Sequence, residues 1–174
     1  REVHCTFIFD TDILDALPSR RDRRVDFIRA SLIELDAALR ARGGGLIVRH
    51  GRASEEIPNL ARELGVASVY ANRDYEPAAK ARDAAVAENL EALGIAFHTR
   101  KDQAIFDGDD VLTQAGRPFS VFTPYKNAWL KRLTDEDAAD FTPVVEKLAP
   151  APLPGNVPTL KELDFLPTNL AQLG

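Results

Sequence analysis

A chain of 174 residues with 45% hydrophobic content can bury one domain core and not two. Its formal charge of −5 and pI near 5.2 argue against a main nucleic-acid surface, which needs clustered Lys and Arg. The lone Cys5 excludes an internal disulfide and points to a reducing, cytoplasmic setting, and no apolar run reaches the length of a membrane span.

The run Val3-His4-Cys5-Thr6-Phe7-Ile8-Phe9 is aromatic and β-branched, and Asp10-Thr11-Asp12 stops it, which predicts a strand and a polar loop. No signal-peptide pattern precedes it. The basic stretch Ser19 to Arg24 reads as a solvated start to a helix from about Arg24 to Arg42. Val25, Ile28, Leu32, Leu35 and Leu39 recur there at three and four, predicting one core face, and Gly43-Gly44-Gly45 ends it. Leu46-Ile47-Val48 predicts a buried strand whose exit, Arg49-His50-Gly51-Arg52, leads into a helix with Ile57, Leu60 and Leu64 on one face. Pro58 belongs in its first turn, because deeper in it removes a backbone bond.

Val66 to Ala71 predicts the next strand, and Pro77 opens a helix to about Leu93 with Val86, Leu90 and Leu93 facing inward and Gly94 as its cap. Ile95 to His98 and a hairpin-like stretch around Ile105 to Leu112 follow. Alternating strand and helix is the mark of an α/β fold with a parallel sheet covered on both faces. Thr123 and Pro124 then read as N-cap and first residue of a helix in which Trp129 packs beside Tyr125 and Leu133. Six of the eleven prolines (Pro143, Pro150, Pro152, Pro154, Pro158, Pro167) crowd the last part of the chain, which predicts an extended segment.

Ligands of open α/β sheets sit at the carboxyl ends of strands, where loops and helix N-termini present backbone donors. Three exits qualify: Asp10-Thr11-Asp12-Ile13-Leu14, His50-Gly51-Arg52-Ala53-Ser54 and Asn72-Arg73-Asp74-Tyr75. Gly51 allows close backbone approach, and Arg52 with the helix N-terminus favours an anionic or electron-rich group. By pattern alone such loops are more often capping chemistry than ligand sites. His4, His50 and His98 have no Cys or carboxylate at metal-ligand spacing, so a metal is not expected. No Gly-x-Gly-x-x-Gly, Gly-x-Ser-x-Gly or P-loop pattern occurs, nor a nucleophile with a base.

Two blocks go beyond what propensity explains. Phe122-Thr123-Pro124-Tyr125-Lys126-Asn127-Ala128-Trp129-Leu130-Lys131-Arg132-Leu133 closely resembles the segment ending the N-terminal α/β domain of DNA photolyases of bacterial class I type. Asn72-Arg73-Asp74-Tyr75-Glu76-Pro77 with Ala81-Arg82-Asp83 resembles the same family at the expected earlier place. The resemblance implies a Rossmann-like doubly wound sheet, with residues 1–133 as an antenna-binding domain and 134–174 as a linker toward a helical domain that holds FAD. It also implies that the family's first strand and Arg-rich loop are missing ahead of Arg1. The absence of Met adds the expectation that the chain starts inside a longer product. The strands at Val3 to Phe9 and Val66 to Ala71 are then not direct neighbours.

For the site, the resemblance implies antenna contacts at Asp10, Thr11, Ile13, Leu14, Gly51, Arg52, Asn72, Arg73 and Asp74. Folate-binding members carry an Asn-Glu pair where this chain has Ala78 and Ala79. Asn72, Asp74, Glu76 and Pro77 match the Asn-x-Asp-x-Glu-Pro motif of deazaflavin-binding types, so a deazaflavin or FMN-like antenna is favoured over folate. Leu160, Leu163, Phe165 and Leu166 are the residues expected to dock on the helical domain. The implied activity is repair of cyclobutane pyrimidine dimers by blue-light-driven electron transfer from reduced FAD, with damaged DNA bound through the helical domain and no repair or FAD in this chain alone. The alternatives are a cryptochrome-type photoreceptor domain and a stand-alone nucleotide-binding module of universal-stress type.

Overall fold

The computed structural model describes residues 2–139, 147–151 and 157–170. The chain forms two compact units, residues 1–60 with 143–174 and residues 61–142.

The first unit is built on β1 (Cys5–Asp10) and β2 (Leu46–Gly51), paired in parallel from Cys5 opposite Leu46 to Asp10 opposite Gly51. Parallel neighbours need a crossover, and α2 (Arg23–Arg40) supplies it after the single turn of α1 (Thr11–Leu14). Asp22, not Arg24, begins α2. Its carboxylate accepts the Arg24 N–H at 2.8 Å and is gripped by the Arg24 guanidinium at 2.6 Å, which lowers its pKa to about 2. At the other end Gly43, at φ +80, turns the chain, and the Gly44 N–H reaches the Leu39 carbonyl at 2.9 Å.

The apolar face of α2 differs from the expected one. Val25 and Leu32 are buried, whereas Ile28 and Leu35 are 37% and 46% exposed. The inward position one turn on from Leu32 belongs to Asp36, whose Oδ1 accepts the Leu46 N–H at 2.9 Å and whose Oδ2 accepts Arg40 Nε at 2.8 Å. That rotation gives the first amide of β2 its acceptor and turns the Ile28–Leu35 flank outward. Burial pushes the Asp36 carboxyl up, but the Arg40 and Leu46 bonds outweigh it and hold it below the usual range. A depressed folded-state value adds stability above the unfolded pKa and loses it as pH falls through the folded one. Asp36→Asn is therefore expected to be less stable than the parent at neutral pH, with the gap closing below about pH 4. A gap constant from pH 7 to about 2 in urea melts would contradict this charge assignment.

Seven buried side chains make the core of this unit: Phe9, Leu14, Val25, Leu32, Leu46, Leu163 and Phe165. Leu163 and Phe165 were expected to dock on a separate helical domain; here they lie 2% and 3% exposed in this core, with Leu160 packed against it, and only Leu166 of the four faces outward. The segment returns because Thr159 and Glu162 form a reciprocal cap, Glu162 Oε2 accepting the Thr159 N–H at 2.7 Å, which starts a turn ahead of the two apolar residues. Of the six late prolines, Pro150, Pro158 and Pro167 are in described residues and Pro143, Pro152 and Pro154 lie outside them. Val3 lies ahead of β1 and bridges Leu148 instead, its N–H on the Lys147 carbonyl at 2.8 Å. Gly44 and Gly45 admit this stretch: a Cβ on Gly45 would stand 2.7 Å from Ala151 Cβ.

α3 (Ala53–Leu64) starts earlier than its sequence suggests, which places Pro58 inside the helix and not in its first turn. The early start follows from a cap supplied by Asp10, described below; the buried Pro58 ring is kept at the expense of one helical N–H.

The second unit pairs β3 (Ser68–Asn72) with β4 (Ala96–Arg100) in parallel, joined by α4 (Pro77–Ala92). Among the described residues β1 pairs with β2 and β3 with β4, as two two-stranded sheets. Val86 and Leu90 of α4 are buried, while Leu93, beyond its end, is 41% exposed. The expected hairpin at Ile105 to Leu112 is absent from the described residues. Asp107 and Asp110 instead cap a 3-10 turn at Gly108–Asp110, and Lys101 Nζ holds Asp110 at 2.8 Å. α5 (Phe122–Arg132) begins before Thr123, with Val121 at the cap position and no side-chain cap bond, so Pro124 sits in the first turn, where its missing N–H costs nothing. Trp129 packs edge-on against Phe106, centroids 5.3 Å apart, and Tyr125 pairs with Phe119, not with Trp129. Arg132 reaches the Asp110 carbonyl and covers the Phe106 ring at 5.1 Å. No helix among the described residues is long and apolar enough to cross a membrane.

Candidate functional site

The carboxyl ends of β1 and β2 meet at Asp10 and Gly51, which stand opposite each other in the ladder. Asp10 is 7% exposed, and its Oδ1 accepts the Asp12 N–H at 3.1 Å and the Ala53 N–H at 3.3 Å. One oxygen thus caps α1 and α3 together. A Cβ on Gly51 would lie 2.9 Å from Glu56 Cγ and Oε1, so a larger residue there obliges the Glu56 side chain to shift. Arg52 Nε pairs with Asp12 Oδ1 at 3.3 Å and its Nη1 lies 3.7 Å from Glu55 Oε1. Thr11 is half-buried at the start of α1, Ile13 is 53% exposed, and Leu14 points into the core.

This changes the expected electrostatics. The first turn of α3 was expected to attract an anion, but its Ala53 N–H is taken by Asp10, and Asp10, Asp12, Glu55 and Glu56 outnumber Arg52 around it. Such an exit repels phosphate or carboxylate and favours a ligand that presents N–H or O–H donors. Asp10→Ala leaves two helix-terminal N–H groups without an acceptor and is expected to cost about 1–3 kcal/mol. Asp10→Asn keeps a carbonyl acceptor and is expected to cost distinctly less; equal losses in thermal melts would show that the capping role is not what Asp10 contributes.

In the second unit Asn72 ends β3 and is exposed. The Arg73 N–H continues the ladder to the Arg100 carbonyl at 2.7 Å, and its Nε pairs with Asp107 Oδ2 at 3.0 Å. Asp74 Oδ1 accepts the Glu76 N–H at 3.0 Å. That bond comes first among the causes, with the Gln103 side chain also contributing, that hold the Asp74 carboxyl below its usual pKa. Asp74 is therefore an ionised acceptor with lone pairs to spare. Of the two alanines in place of the folate-type pair, Ala78 is exposed, but Ala79 is 8% exposed on the inner face of α4, so it is a packing position as well. The structure brings Asp10, Gly51 and Arg52 together, and Asn72, Arg73 and Asp74 together. Asp12 was named within the first exit, but the acidic Glu55 and Glu56 were missed by the sequence reading, although Glu55-Glu56 just after a strand exit is a visible signal.

A family model described as DNA photolyase matches residues 1–149. A deoxyribodipyrimidine photo-lyase of a Synechococcus species is 33% identical over 168 residues, covering 97% of this chain and 34% of the relative. The crystal structure of a bacterial class III photolyase from Agrobacterium tumefaciens superposes with a TM-score of 0.76 at 25% identity, over 97% of this chain and 33% of that one. The archaeal photolyase of Sulfolobus tokodaii gives 0.58 at 28% identity, over 72% of this chain and 28% of that one. The chain thus spans about a third of the length of the relatives it matches. With most of its residues inside that match, the universal-stress alternative falls away, and this chain belongs to the DNA photolyase family.

Proposed function

We propose that this chain is the antenna-chromophore domain of a photolyase whose complete polypeptide splits cyclobutane pyrimidine dimers, using FAD held in a separate helical domain and binding damaged DNA there. The observation that carries the reading is the family match over residues 1–149, together with relatives about three times as long. The net charge of −5 fits a domain that leaves DNA binding to another part of the protein. A cryptochrome DASH also stands among the relatives, and a repair assay separates that reading. Under blue light the natural-length polypeptide is expected to restore dimer-containing oligonucleotide and this chain alone to restore none. Photoreceptor behaviour without repair would favour the cryptochrome reading, and repair by this chain alone would overturn the division of labour.

Among antenna classes, the residues favour a flavin-type tricycle, deazaflavin or FMN-like, over folate. When bound, such a group supplies light absorption and passes the excitation on. Each exit, taken by itself, supplies acceptors for ring N–H or O–H groups: Asp10 and Asp12 at the first, in one unit, and Asp74 at the third, in the other. The Sulfolobus photolyase is described as holding two FAD molecules, with the implication of a novel light-harvesting cofactor, and that supports a flavin in this role. In this reading exposed Ile13 and half-buried Thr11 offer apolar and polar contacts at the first exit, Leu14 anchors α1 to the core, and Gly51 and Arg52 shape the second exit; in the other unit Asn72 and Arg73 stand beside Asp74. Soluble cytoplasmic placement goes with the same proposal.

A further inference from the structure

We propose that Arg20 is a positioning residue for α1, holding the first strand exit in place by tying it to the segment 157–170. The functional weight of this rests on the reading of that exit as an antenna contact. Arg20 spans two pieces of chain far apart in sequence. Its Nη1 donates to the Leu14 carbonyl at 3.1 Å and its Nη2 reaches Asp15 Oδ1 at 3.3 Å. On the other side its Nε lies 3.5 Å from Asp164 Oδ2, and the guanidinium stands 5.2 Å from the centre of the Phe165 ring. Its own carbonyl accepts the Leu166 N–H at 2.8 Å.

α1 has four residues, and a single turn has little stability of its own. Asp10 secures its N-terminal amides, and Arg20 takes one of its last carbonyls, where a cation also suits the helix dipole. The segment it is tied to is firmly seated. Leu163 and Phe165 flank Asp164 and are buried, and Asp164 between them takes a left-handed φ of +61, which aspartate tolerates better than most residues. Each Arg20 pair is partly exposed and individually modest. The planar fork nevertheless fixes its partners in one geometry, which a lysine cannot do. Leu14 shares the apolar core with Leu163 and Phe165, but the other polar ties to this segment bypass α1: Arg21 Nη1 goes to the Pro167 carbonyl at 3.1 Å, Arg23 Nε to Asn169 Oδ1 at 3.1 Å, Arg29 Nε to the Pro158 carbonyl at 2.8 Å, and Thr168 Oγ1 to Asp26 Oδ2 at 2.6 Å.

Amide hydrogen exchange on the 174-residue chain, compared with Arg20→Gln, Arg20→Lys and Arg23→Gln, tests this directly. In Arg20→Gln the Asp15 and Leu17 amides are expected to exchange about tenfold faster with β2 unchanged, and FMN affinity is expected to fall by a similar factor. Arg20→Lys should be intermediate, and Arg23→Gln should loosen only the segment near Asn169. If Arg20→Gln unfolds the chain, seen as faster exchange in β2, Arg20→Lys carries the same comparison. Faster exchange at Leu166 with α1 unchanged would overturn the proposal, reducing Arg20 to a clamp on the tail. If α1 loosens as expected but the parent chain binds no flavin, the positioning role stands and the antenna reading fails.

Discussion

Phe165→Ala is expected to destabilise the chain by about 3–5 kcal/mol, the range for a fully packed phenylalanine truncated in a core. That is a large share of the roughly 5–15 kcal/mol by which a domain is normally stable. Phe165 is 3% exposed, shares a cluster with Phe9, Leu14, Val25 and Leu32, and carries the Arg20 guanidinium on its ring. Its neighbour Leu166 is 50% exposed, and Leu166→Ala is expected to change stability by no more than about 0.5 kcal/mol. Urea unfolding curves of the two variants against the parent make the comparison. Equal small effects would mean that the last part of the chain is a linker lying outside the folded unit; a large loss for Phe165→Ala alone means that truncating the chain before it removes part of the core.

The second large effect concerns Asp74. Titration with deazaflavin, FMN and folate is expected to show saturable binding of the flavin class. Asp74→Asn is expected to weaken it by about ten- to hundredfold, because an ionised acceptor covered by the ligand is exchanged for a neutral amide that also brings a donor. Ala78→Ser should leave the affinity unchanged, since that side chain is exposed and the folate-type pair is not in use. Substitution at Ala79 is a less clean control, because it disturbs packing. Tight folate binding indifferent to Asp74→Asn would mean that the chromophore class was misread. Trp129, the sole tryptophan, gives an intrinsic signal of folding during the titration through its contact with Phe106.

How much of this was legible in the sequence follows from the range of each interaction. The apolar and β-branched runs placed three of the four strands within about two residues and ended β2 three residues short, at Val48 and not Gly51, and the alternation with helices gave the α/β class. Local signals were read less well where a cap lies far away. α3 begins at Ala53 because Asp10, forty-three positions earlier, accepts its amide, so Pro58 falls in the interior against its usual preference. Periodicity announced an apolar face on α2, but two adjoining stripes satisfy it, Val25 with Leu32 and Ile28 with Leu35. The choice was made by Asp36 turning inward to the Leu46 amide, a contact no window of spacing reports. The tail is the clearest case. Its prolines say nothing about packing, and the return of Leu163 and Phe165 goes with partners about 130 positions away, such as Arg29 with Pro158.

The same reasoning applies to the site. Strand exits could be located because ligand positions follow from topology, and Asp10, Gly51 and Asp74 all stand at or just beyond strand ends. The sign of the field could not be read from Arg52 alone: Glu55, three positions on, is a local partner, but Asp12 reaches Arg52 only once β1 and β2 are paired. That acidic, self-capped exit shifts the expected contact from an anionic or electron-rich group to a hydrogen-bond donor; the phosphate of an FMN and the glutamate tail of a folate are both anionic, so the preference between them rests on Asn72, Asp74, Glu76 and Pro77.

Mass spectrometry of the small molecules released on denaturing the purified polypeptide at its natural length tests the central claim most directly. The account predicts FAD together with a second equivalent of a flavin-class chromophore, the second lost selectively in Asp74→Asn. Release of a folate in its place, or of FAD alone in a single equivalent from an intact, folded protein, would contradict it.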